Sequence, residues 1–141
     1  MLESVRVWAV ELGLGPPVER EGTLALGADA LRFEPSEPGP AIALPLAEIV
    51  RVRRLRGSPV LMVVSRRGDE RRRTAFYFAP PPPLPGAEEQ AQRLALPFRS
   101  PRRRARRRNV TYLGLMSREK RELLVAWERG VRAAVDAARR A

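Results

Sequence analysis

The chain has 141 residues and a formal net charge of +11; 44% of its residues are apolar and 30% charged, and it contains no histidine and no cysteine. Such a length and apolar content suit one domain around a single core. Disulfides, thiolate and imidazole metal sites, cysteine nucleophiles and histidine-dependent triads are all excluded.

All but one of the 27 basic residues are arginine, Lys120 being the exception. Arginine matches phosphate and carboxylate oxygens, but an alanine-, arginine- and proline-rich chain is also what a GC-rich coding bias produces. Apolar runs such as Val60-Leu61-Met62-Val63-Val64 fall far short of the roughly 20 residues that a membrane helix needs. Glu3 and Arg6 interrupt the first residues, unlike a signal peptide. The expected location is cytoplasmic, with membrane association left to the basic surface.

In chain order, residues 5–12 place Val5, Val7, Ala9 and Glu11 on one face and Arg6, Trp8, Val10 and Leu12 on the other. β-branched and aromatic content favours a strand, and residues 13–17 break it. Residues 23–26 and 31–34, joined by Gly27-Ala28-Asp29-Ala30, read as a hairpin. After the loop 35–40, Ile42, Leu44 and Leu46 alternate, and strand resumes at 48–53 beyond a bend. Gly57-Ser58-Pro59 turns the chain into Val60–Val64, an apolar strand expected near the sheet centre. The polar turn 66–70 leads to a returning strand at 74–78. Six or seven short strands between turn signals argue for a sandwich or barrel.

Residues 80–109 change character. The proline run from Pro80 cannot join a sheet ladder; residues 87–96 suit a short helix, and 99–108 hold seven arginines. This stretch reads as a partly disordered insertion in a single domain spanning 1–141. Residues 110–115 then suit a last strand. Ser117 stands where an N-cap belongs, with Glu119 in the first turn. From 118 to 140, Leu124, Trp127, Val131, Ala134, Val135 and Ala138 recur at helical spacing as one apolar stripe.

Short antiparallel strands followed by an amphipathic helix with a tryptophan on its apolar face resemble the pleckstrin-homology (PH) superfold, with its GRAM and bacterial PH-like relatives. The likeness rests on the hairpin 22–33, the segment 42–52 and Trp127. It implies a bent seven-stranded antiparallel barrel, capped by the C-terminal helix through Leu124, Trp127 and Val131. It also implies a binding module without catalysis. The family's phosphoinositide site uses basic residues near the first hairpin loop. Here that loop holds Asp29, or under the other alignment Arg20 between Glu19 and Glu21.

The candidate anion-binding residues form three groups. Arg51, Arg53, Arg54 and Arg56 are one; Arg66, Arg67, Arg71, Arg72 and Arg73 are a second, able to meet the first if their strands pair. The third is Arg99, Arg102, Arg103, Arg104, Arg106, Arg107 and Arg108, and removing its seven charges from +11 leaves +4. Such a run binds polyanions by counterion release. Gly13-Leu14-Gly15 lacks the third glycine of a dinucleotide loop, and no nucleophile stands with a base. The expectation is a non-enzymatic module, without cofactor or metal, for a protein partner or anionic membrane surface. The alternative is a nucleic-acid-binding accessory protein using 99–108.

Overall fold

Seven strands form one antiparallel sheet, and a long C-terminal helix packs against one of its faces. The computed structural model describes residues 2–13, 18–81 and 111–141. The strands are β1 (Val5–Leu12), β2 (Glu19–Leu26), β3 (Ala30–Pro35), β4 (Ile42–Pro45), β5 (Ile49–Arg54), β6 (Val60–Arg67) and β7 (Glu70–Tyr77). A 3-10 turn, Leu46–Glu48, makes the bend between β4 and β5. The helix, α1, is Arg121–Arg140.

Spatial order is β4-β3-β2-β1-β7-β6-β5, so β1 joins the first hairpins to the last three strands. The expected barrel is corrected here: β4 and β5 are edges, and the sheet does not close. The predicted strand 110–115 is also overturned, because residues 111–119 are helical and lead through Lys120 into α1. β-branched and aromatic content favoured a strand there, but such a short run does not separate strand from helix by periodicity. The seven strands already lie upstream. Ser117 is consequently inside a helical segment, and the N-cap position of α1 falls to Lys120, whose side chain makes no capping hydrogen bond. The insertion 80–109, with its short helix 87–96 and arginine run, lies outside the described residues except for Pro80 and Pro81.

Strand alternation sorts the side chains as their chemistry requires. Val7 and Ala9 of β1, Leu24 of β2, Leu31 and Phe33 of β3, Leu61 and Val63 of β6 and Phe76 of β7 enter one core. Into it α1 inserts Leu124, Trp127, Val131 and Val135. Trp127 is fully buried and meets Phe78 edge-on, with ring centroids 6.1 Å apart. Polar groups of α1 also reach the β5 edge. Glu128 accepts the Arg54 backbone N–H at 2.7 Å, Arg132 donates twice to the Val52 carbonyl at 2.8 and 3.0 Å, and Arg139 donates to the Ile49 carbonyl at 2.9 Å.

Two glycines make room for core side chains. At Gly22 a Cβ would lie 2.2 Å from the Glu34 carbonyl oxygen and 2.6 Å from the Phe33 ring. At Gly130 of α1 it would meet only the Leu2 side chain, 2.5 Å away. Gly22→Ala is expected to destabilise by about 2 kcal/mol or more, since a backbone oxygen and a packed ring have to move. Gly130→Ala is expected to lie within about 1 kcal/mol of the parent, because helix propensity offsets displacement of a flexible Leu2. Urea denaturation of the two variants checks both expectations.

The indole Nε1–H of Trp127 is buried without a hydrogen-bond partner among the described residues. Trp127→Ala should therefore cost about 3–5 kcal/mol through the cavity it leaves. Trp127→Phe should cost clearly less, because it retains ring packing and removes an unsatisfied donor. Denaturant midpoints of both variants give the comparison.

Candidate anion-binding groove

The face of the sheet turned away from the core carries a second, smaller apolar cluster. Val10, Val60 and Ala75 are its buried members, and Leu12, Leu55, Met62 and Tyr77 pack against them. β6 is accordingly apolar on both faces, although it lies next to edge strand β5 rather than at the sheet centre where its sequence suggests.

Register sets the composition of the groove at the β5 end of this face. Met62 pairs with Arg53 on one side and Ala75 on the other. Val64 pairs with Arg51 and Arg73 in the same way, and Arg73 in turn pairs with Leu12. Residues two apart share a face, so Arg71 stands beside Arg73 as Arg51 stands beside Arg53. Adjacent strands lie about 4.8 Å apart, which puts the two arginine rows roughly 10 Å apart with Met62 and Val64 between them. The resulting concavity has a volume of about 660 Å³ and is lined by Leu12, Gly13, Arg51, Arg53, Met62, Val64, Glu70, Arg71, Arg72 and Arg73.

Four of the nine arginines expected from the first two clusters, Arg51, Arg53, Arg71 and Arg73, thus share one groove face, and Arg72 borders it. The other four are directed elsewhere. Arg54 turns to Glu128 at 3.7 Å, Arg67 pairs with Glu48 at 3.1 Å, and Arg66 donates to the Gly68 carbonyl. Arg56 is exposed in the turn between β5 and β6. Arg72 projects from the other face of β7 and forms an ion pair with Glu11. Residues 99–108 lie outside the described residues. Leu12, Met62 and Val64 are lining residues that charge counting alone did not pick out. Their signal is the apolar alternation of β6 beside arginines spaced two apart on β5 and β7.

An anion lying midway between the two arginine rows is roughly 5 Å from each, inside the Debye length of about 8 Å at physiological salt. Their potentials therefore add over the groove, and an anion placed there relieves the repulsion. Guanidinium forks bind carboxylate or phosphate oxygens in pairs. The charge sense reverses at the far end, where Trp8, Glu19, Glu21 and Glu37 border a second concavity of about 370 Å³. Arg20 in that region is occupied by the Pro40 carbonyl at 2.5 Å and lies over the Phe33 ring. The hairpin tip is not basic either, and its Asp29 faces Arg32 at 3.7 Å.

Among the described residues, no group of three or more carboxylates, thiols or imidazoles is placed to hold a metal ion. No described helix is long and apolar enough to cross a membrane. Comparison of the chain with protein-family models, characterised proteins and solved structures finds no match.

Tyr77 of the outer cluster ionises above its ordinary 10.0, chiefly because burial disfavours the phenolate and secondly because Glu19 is negative. Burial also raises Glu19 above its ordinary 4.5. Glu19→Gln is therefore expected to lower the Tyr77 midpoint while leaving it above 10.0, since burial is the larger cause. Ultraviolet titration of the phenolate band checks this. The sign for stability follows from linkage: a group whose folded pKa is raised binds its proton more tightly when folded, so stability falls as pH rises through the Tyr77 midpoint.

Proposed function

We propose that the chain is a non-enzymatic, PH-like binding or adaptor module that docks the anionic surface of a protein partner or membrane on the outer face of β5, β6 and β7. The observation that carries this reading is convergence. Arginines about twenty positions apart in sequence line one groove over an apolar floor, while four neighbouring arginines are drawn away to carbonyls, carboxylates or a turn.

Strand order and the buried helix tryptophan support the PH-like likeness. An antiparallel meander folds back so that β1 pairs with both β2 and β7, and Trp127 packs beneath it with no exposure. The chemistry of the groove supports the non-enzymatic reading. Arginine, methionine, valine and leucine offer no nucleophile and no proton-transfer group at neutral pH. Glu70, the one carboxylate among the described lining residues, is exposed.

The test compares two variants of equal net charge. Arg53→Glu with Arg73→Glu reverses the groove, whereas Arg118→Glu with Arg129→Glu reverses two exposed charges of the helical region. On an immobilised polyanion such as heparin, the groove variant is expected to elute at distinctly lower salt than the helix variant. Equal elution overturns the reading and transfers the polyanion contact to the 99–108 run.

A further inference from the structure

We infer that the ligand of this groove is an extended acidic peptide segment with an apolar residue between its carboxylates; the inference rests on the binding-module reading above. The groove is not simply positive. Met62 is half-buried and Val64 buried, and in register each lies between a residue of β5 and one of β7. A purely charged ligand leaves that floor without an apolar partner, and a purely apolar one leaves the guanidinium groups without counter-charge. A segment that alternates the two satisfies both.

Spacing points to the same class. Arg51 and Arg53 on one side, and Arg71 and Arg73 on the other, are each two residues apart along a strand. That separation is about 6.6–6.8 Å, which is also the repeat of same-side residues in an extended peptide. The width between the rows, roughly 10 Å, admits one extended chain. Carboxylates on that chain then meet guanidinium forks capable of paired hydrogen bonds.

The groove fits other anions less well. Among the described residues no aromatic ring lines it, and stacking on aromatic rings is what holds single-stranded nucleic acid beyond its charge. Trp8 lies instead on the wall of the acidic concavity. A bilayer surface is met by apolar side chains that project into it, whereas Val64 is only 5% exposed and sits between arginines. The floor is recessed, and a narrow segment reaches it where a flat surface does not.

Fluorescence anisotropy with the full chain tests this, using two labelled synthetic peptides of equal charge. One alternates glutamate with leucine and the other glutamate with serine. Vesicles with and without phosphatidylglycerol, and an oligothymidylate, serve as the competing anion classes. The glutamate–leucine peptide is expected to bind about fivefold or more tighter than its serine counterpart, as partial burial of leucine implies. Arg53→Glu with Arg73→Glu should weaken it by about tenfold or more, and Arg118→Glu with Arg129→Glu should not. The milder Arg53→Gln with Arg73→Gln reads the same contacts, with the far-ultraviolet spectrum as the folding check. Equal affinity for the two peptides overturns the inference. So does a groove effect confined to the vesicles or the oligonucleotide, which leaves the binding-module reading standing. If no probe separates the groove variant from the helix variant, both fall.

Discussion

One edge of the sheet is closed by side chains instead of a strand, and the rest of the structure depends on that closure. β5 ends the ladder and would otherwise present free backbone groups on which another chain could pair. α1 occupies that position. Glu128 takes the Arg54 N–H, Arg132 takes the Val52 carbonyl twice, and Arg139 takes the Ile49 carbonyl. Hydrogen bonds with one ionised member are stronger than neutral ones, so a helix with the right flank substitutes for a missing strand. The same helix turns its apolar stripe inward, where Leu124, Trp127, Val131 and Val135 fill the concave face of the sheet. The opposite edge needs less, because β4 has four residues and ends in Pro45.

Most of this architecture was legible in sequence, for reasons that differ from element to element. β1 to β3 were readable because their inward positions alternate with polar or outward ones, and turns with glycine separate them. Gly57 and Gly68, both with positive φ, sit in the turns before β6 and β7. The helix was readable because an apolar residue at every third or fourth position has no strand interpretation over twenty residues. The stretch 110–115 was misread because Val110, Thr111 and Tyr112 carry strand preference in sequence, whereas 111–115 are helical, preference yielding to context. With Ser117 drawn into that helical segment, its hydroxyl lost the place from which it would cap α1.

The candidate groove was half legible. Two arginine clusters were visible, as was the condition that their strands pair. Invisible was the sorting within each cluster, which comes from alternation combined with register. On β5, Arg51 and Arg53 face outward, while Arg54 turns to Glu128. On β7, Arg71 and Arg73 flank Arg72, which points the other way and meets Glu11 of β1. A single step in register would exchange these sets. The floor residues were hidden for a related reason, since a run of five apolar residues does not reveal which of them face away from the core.

The helix and the groove lie on opposite sides of the sheet, yet the first sets the dimensions of the second. The gap between the arginine rows equals two strand spacings, so it holds only while β5 stays in the ladder. Repulsion between Arg51 and Arg73 acts to push β5 outward, and β5 is held by a neighbouring strand on one side alone. Exposed like charges at that distance oppose each other by less than about 1 kcal/mol. The contacts of Glu128, Arg132 and Arg139 with the β5 backbone act the other way, and a hydrogen bond to a charged group contributes about 1.5–3 kcal/mol. The clamp therefore outweighs the repulsion, and charges that would loosen an unguarded edge strand are held at a fixed separation. A cationic groove whose width is set by two strand spacings is the result.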